Sequence, residues 1–148
     1  MAIAERTYAQ YNVDHSTKHT NEHYDLNNTS GDQVYKGYGF EIRSPNVKAA
    51  VDDTRGKMIT YGGNVIVAPY FSRSDGRTRS WTEVWGGTTE AHPYAISVDD
   101  HWSEPSDACS GHCVGLSAYG ANAQALEGKT YDQILKYYFT GVAITDYY

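Results

Sequence analysis

The chain has 148 residues, 40% of them hydrophobic and 20% charged, and a net charge of −6. That length buries roughly 68–70% of the unfolded surface without help from metals or disulfides; no apolar run nears the ~20 residues of a membrane span, and no Lys/Arg cluster favours nucleic acid. Tyrosine is in excess, 14 beside 3 Trp and 3 Phe, and its amphipathic ring suits polar grooves and a neutral, carbohydrate-like partner.

Residues 1–11 predict a helix, Ala-rich with Ile3, Tyr8 and Tyr11 among good helix formers. No Ser, Thr, Asp or Asn precedes it as a cap, which reads either as a frayed terminus or as a helix begun upstream. Met1-Ala2-Ile3-Ala4-Glu5-Arg6 lacks the apolar stretch of a signal peptide. Residues 12–33 are polar and read as a long loop, of the kind that is functional or mobile. Residues 34–38 read as a short turn, and 45–52 as a short helix broken by Asp53-Thr54-Arg55-Gly56. Two β-rich runs, 57–61 and 64–68, flank Gly62-Gly63, the signature of a tight hairpin. Residues 73–80 form a polar loop; 81–85 and 94–98 read as short strands or turns. Residues 114–127 predict a helix with Leu116, Tyr119, Ala123 and Leu126 at helical spacing. Thr130 with Gln133 forms a capping box that opens a last helix, ended by Gly141, and 142–145 read as a closing strand. The sum is a single α+β domain over 1–148: an antiparallel hairpin-bearing sheet, flanking helices and long polar loops, with no internal repeat.

Four clusters carry candidate chemistry. His15, His19 and His23 lie four residues apart and on a helix would share a metal-binding face, but their neighbours Asp14, Ser16, Thr17, Thr20 and Asn21 are poor helix formers, so solvated loop histidines are the competing reading. Cys109 and Cys113, with His112 between them, can pair, bind zinc with His101 or Asp107, act as a nucleophile pair or remain free thiols. His112 is a poor base for the adjacent Cys113, since neighbours in an extended chain point to opposite faces. Ser72, Ser74, Gly76, Arg77 and Thr78 make a donor-rich loop of the kind that clamps sugars, phosphates or carboxylates, and the Gly-rich 111–117 segment can turn sharply to place His112 at a helix mouth.

These stretches resemble one family. Gly111-His112-Cys113-Val114-Gly115-Leu116-Ser117-Ala118-Tyr119-Gly120-Ala121 is similar to the Gly-His-Gly-Val-Gly-Met-Ser-Gln-Tyr-Gly-Ala signature of the stage II sporulation protein D and amidase-enhancer family. Arg6-Thr7-Tyr8-Ala9 resembles the end of that family's first helix. The 25–37 stretch, with Thr29 and Gln33-Val34-Tyr35, resembles its Thr/Gln-Val-Tyr loop. The 70–78 stretch resembles its Phe-Ser-x-Ser-x-Gly-x-Thr loop, followed by Val84-Trp85-Gly86, and 128–138 resembles its closing helix.

The resemblance implies extracytoplasmic work on the bacterial cell wall, with peptidoglycan glycan strands as partner and a wall amidase as a second one. It implies lytic-transglycosylase-type cleavage of denuded glycan, in which one carboxyl with a raised pKa protonates the glycosidic oxygen. The family's proposed catalytic Glu falls upstream of Met1, so the chain reads as N-terminally truncated relative to the family, and Glu5 stands where a small residue is usual. A non-catalytic glycan-binding or amidase-enhancing module is therefore the alternative, and a structural subunit of a surface assembly the third. Some relatives hold zinc in the Thr/Gln-Val-Tyr loop; the matching Asn27, Gly31 and Asp32 imply no metal here, and no cofactor is expected. Cys113 stands in place of a family glycine. The expected groove is lined by Thr29, Gln33, Ser72, Thr78 and His112, with His112 and Ser117 shaping it, Ser74 and Arg77 holding substrate, and Tyr35 and Tyr119 as sugar platforms.

Overall fold

The computed structural model describes residues 1–103 and 108–148, so Asp107, one of the candidate zinc ligands, lies outside the described residues. The chain is mixed α+β, with six α-helices, a three-stranded sheet and a two-stranded pair among the described residues. It forms two compact units, Met1–Val67 with Thr145–Tyr148, and Ala68–Ile144.

In the first unit, α1 (Ala2–His15) runs past the predicted end at Tyr11, because the Asn12 side chain donates to the Tyr8 carbonyl and Gln10 donates to Asp14 one turn on. Ile3, Ala4 and Thr7 form its buried face. The Thr7 hydroxyl donates to the Ile3 carbonyl at 2.6 Å and accepts the Ile59 N–H at 3.0 Å, pinning helix to strand. The hairpin forms as predicted: β1 (Lys57–Tyr61) pairs antiparallel with β2 (Asn64–Val65), with Thr60 opposite Val65 and Tyr61 opposite Asn64. Gly62 and Gly63 both take positive φ, 56° and 84°, which matches the twist of a two-residue turn. β2 is shorter than the predicted 64–68. The closing strand (Ala143–Asp146, β5 in chain order), of which Thr145 and Asp146 belong to this unit, is the other neighbour of β1, giving the order β2-β1-β5. Where a turn was expected around Tyr38, a short helix forms, α2 (Tyr38–Arg43), and α3 (Pro45–Asp53) follows with Pro at its start. Neither helix buries a side chain. Arg6 holds α3 instead: its guanidinium donates to the Val51, Thr54 and Lys57 carbonyls at 3.1, 2.6 and 3.2 Å. Val51 and Thr54 lie at the helix C-terminus, where carbonyls lack intrahelical partners and the dipole favours a cation.

In the second unit, β3 (Tyr70–Phe71) and β4 (Leu116–Ser117) pair in parallel. Residues 81–85 are not a strand but a helix, α4 (Trp81–Trp85), opened by a complete Ser80/Glu83 capping box. The helix predicted from 114 begins only at Ala118 (α5, Ala118–Leu126). Gly115 causes the delay: at φ 78° it lets the backbone pass so close to the Pro69 carbonyl that a Cβ would overlap it, and Leu116 then pairs with Tyr70. α6 (Tyr131–Tyr138) carries the predicted Thr130/Gln133 capping box. Residues 94–98 form no strand, although Thr78 and Val98 exchange backbone and hydroxyl hydrogen bonds. Leu116, Ile134, Leu135, Tyr138 and Phe139 are the buried apolar centre, each side chain contributing about 1.5–3 kcal/mol of burial.

Candidate functional site

His112 sits in a loop tied down from three sides. The Cys109–Cys113 disulfide closes it, so the described cysteines are neither free nor metal-bound. The Arg79 N–H donates to the Cys113 carbonyl, and Ser72 and Ser110 zip the loop to the end of β3 through Ser72 N–H to Ser110 O at 3.2 Å and Ser110 N–H to Arg73 O at 2.8 Å. His112 Nδ1 accepts the Val114 N–H at 3.1 Å, and the ring also bonds the Tyr70 backbone. Burial lowers its pKa, partly opposed by the Tyr70 bond, so the ring is neutral at pH 7. The ring packs between Phe71, at 5.9 Å, and Trp85, at 5.0 Å. The ring is thereby held in one orientation.

Beneath this loop lies a buried polar network that sequence reasoning missed. Asp100 is fully buried and accepts the Ser74 hydroxyl at 2.6 Å and the Tyr138 hydroxyl at 2.7 Å. Burial, then the bond to Asp100, pushes the Tyr138 phenol far above its ordinary pKa. Gly120 packs directly on this pair; a Cβ there would overlap both the Asp100 carboxylate and the Tyr138 hydroxyl. Ser74, Thr78 and Ser117, expected to meet substrate, are all buried. Ser74 is bonded to Asp100, Thr78 clasps Val98, and Ser117 caps α5 by accepting the Gly120 N–H at 3.1 Å. Their role in this structure is to hold the loops in place.

The exposed members are Ser72, Arg77 and Tyr119. The Tyr119 N–H donates to the Ser72 carbonyl at 3.0 Å, which brings those two together. Arg77 donates from both Nη atoms to Glu83 at 3.0 and 3.1 Å, and Glu83 also caps α4 through the Ser80 N–H. That backbone bond first, then Arg77, keeps the Glu83 carboxyl below its ordinary pKa.

Thr29, Gln33 and Tyr35 belong to the first unit. Thr29 donates to Asn27, the Gln33 amide donates to the Glu5 carbonyl at 3.0 Å, and Tyr35 is exposed. The loop turns on Asp32, whose side chain is 3% exposed. Burial alone would raise its pKa, but the Asn27 N–H, Lys18 and His19 together hold it at about 2. Its oxygens are thus occupied, Gly31 offers no side-chain donor, and Asn27 is bonded to Thr29. The three histidines separate: His15 stacks on Tyr11 within α1, His19 bonds Asp32 at 2.7 Å, and His23 lies exposed in the loop. Among the described residues, no group of three His, Cys, Asp or Glu side chains is placed to hold a metal.

Comparison with known proteins agrees with the motif pattern. The family profile described as Stage II sporulation protein matches residues 1–61. Over 77% of its length the chain is 26% identical to stage II sporulation protein D of Bacillus subtilis (strain 168), and covers 58% of that protein. The chain is similar to the stage II sporulation proteins over these stretches. It is also 38% identical to the amidase enhancer of the same organism, over 49% of the chain and 9% of the enhancer. Over 99% of its length it is 25% identical to an uncharacterized protein of Brachyspira hyodysenteriae, covering 60% of it. The chain thus spans less than two thirds of each of these relatives. The profile match takes in Arg6-Thr7 and the Asp32 loop; the 70–78 and 111–121 stretches that build the His112 site lie beyond it.

Proposed function

We propose that this chain is a cell-wall domain that binds peptidoglycan glycan strands. The observation that carries the proposal is the His112 site itself: a neutral imidazole packed against Phe71 and Trp85, in a loop joined to the end of β3, where the exposed residues Ser72 and Tyr119 are linked through their backbones. Such a surface matches a neutral sugar chain better than an ionic ligand. The Cys109–Cys113 disulfide supports an extracytoplasmic setting, since disulfides persist in oxidising compartments.

Three carboxylates of the second unit support binding over cleavage. A glycosidic acid needs a raised pKa. In the described part of the second unit, Asp75 is held down by Arg79 and Glu83 by Ser80 and Arg77, while Asp100 is sealed beneath Ser74 and Tyr138. The similarity to an amidase enhancer favours one further reading, that glycan binding here serves to stimulate a wall amidase.

The test is incubation with denuded glycan strands, read by co-sedimentation and by mass spectrometry. Retention of the protein on the strands without anhydro-sugar products is the expected result. Release of anhydro-muropeptides would restore the transglycosylase reading, and absence of both binding and products would overturn the proposal. Adding the chain to a wall amidase acting on intact sacculi tests the stimulation.

A further inference from the structure

Trp85 has no role in the architecture that burial would explain. Its side chain is 45% exposed, at the end of a five-residue helix. Yet its ring is fixed with care. Trp81 lies against it at 4.4 Å, and Trp81 is itself stacked on His92 at 3.7 Å and 27°. His112 meets it from another side at 5.0 Å. Both histidines are lowered in pKa by burial, so the array is uncharged at neutral pH. The helix that carries it is locked by the Ser80/Glu83 box, by Arg77 on Glu83 and by Gly86 at φ 75°. A half-exposed indole held from several sides is a preorganised apolar plane, and preorganisation is what lowers the cost of binding.

Resting on the glycan-binding reading above, we infer that Trp85 is a stacking platform for one pyranose ring of a neutral N-acetylated glycan. The axial C–H face of such a ring is apolar and flat enough to lie on an indole, while its hydroxyl and acetamido groups project to the rim. Phe71, which packs on the far side of His112, is followed by the exposed Ser72, and Ser72 is bonded to the exposed Tyr119. A cation is the other ligand that indole faces attract, and a carboxylate free beside the face would strengthen that attraction. Glu83, on the same helix, is consumed by Ser80 and Arg77. Trp102, the third tryptophan, is already engaged by the His101 ring at 4.0 Å and by the Lys129 ammonium at 4.6 Å.

The experiment uses the whole chain labelled with 5-fluorotryptophan and titrated with chitotetraose, the tetramer of N-acetylglucosamine. Three fluorine resonances are expected, assigned by single Trp→Phe variants. The Trp85 signal moves with saturation and Trp102 does not. In parallel, Trp85→Ala weakens binding at least about tenfold, Trp85→Phe by less, and Trp102→Phe leaves it unchanged. The labelled protein answers the question even if the alanine variant fails to fold. A Trp85 resonance that stays still while the chain binds glycan strands overturns this inference alone. Failure to bind either chitotetraose or denuded glycan overturns it together with the broader reading. A Trp85 response to tetramethylammonium but not to chitotetraose replaces the sugar with a cation and also overturns it.

Discussion

Cys113 has a backbone φ of 56°, a left-handed conformation that costs an L-residue about 1–2 kcal/mol. The resemblance to the sporulation family places glycine there, and the structure supplies the physical reason. The loop must turn left-handed at this point to set His112 between Phe71 and Trp85, and the cysteine accepts the strain while joining the disulfide to Cys109. With the bridge removed in both cases, C109S/C113G is expected to be more stable than C109S/C113A by about 1 kcal/mol, measured by urea unfolding. Equal midpoints would remove the strain from this account. His112 was legible in the sequence because its Gly-His-x-Val-Gly neighbourhood is local. Asp100 was not, because nothing in Val98-Asp99-Asp100-His101 distinguishes the carboxylate that turns inward from the one that does not. The burial of Ser74 and Ser117 is not legible in the sequence, since Asp100, the partner of Ser74, lies 26 residues along the chain, and α5 starts at Ala118 where the periodicity predicts a start at 114.

Local signals served the elements well wherever they were complete. The Gly62-Gly63 hairpin and the Thr130/Gln133 helix are self-contained, and both form as read. Ser80-Trp81-Thr82-Glu83 carries the same capping signature, but its helix of five residues is too short to show periodicity and reads as a strand or turn. α2 has no cap bond and no buried residue to announce it. α3 is the instructive case. It buries no side chain and is held at its C-terminus by Arg6 from another helix. Arg6→Lys is expected to cost about 1–2 kcal/mol in the first unit and to speed amide exchange across α3, because an ammonium cannot match a guanidinium fork reaching three carbonyls. Unchanged exchange in α3 would show that the clasp is not what holds it.

At the scale of the molecule, the two units have separate chemical weak points. Asp32 is buried in the first unit with its pKa at about 2 against about 4 in an unfolded chain. Its stabilisation is therefore fully present above pH ~4 and is lost as the pH falls through 2. The Asp75–Arg79 and Glu83–Arg77 pairs of the second unit are more exposed and contribute less. Trp81, Trp85 and Trp102 all lie in that second unit, so tryptophan emission reports on it directly. Acidification from pH 4 to 2 is expected to accelerate amide exchange around Asn27 and Asp32 before tryptophan emission changes, and Asp32→Asn to abolish that early step. A tryptophan transition arriving first would contradict the assignment.

The buried phenol of Tyr138 sets the opposite limit. Among 14 tyrosines it is one that cannot release its proton without placing a second negative charge against Asp100 inside the core. Its folded pKa lies above the unfolded value, so what it contributes is intact below pH ~10 and drains away as the solution becomes more alkaline. The carboxylate gives the first unit a floor in acid, and the phenol gives the second a ceiling in base. The domain's working range is bounded by two single protons, one that must stay off and one that must stay on.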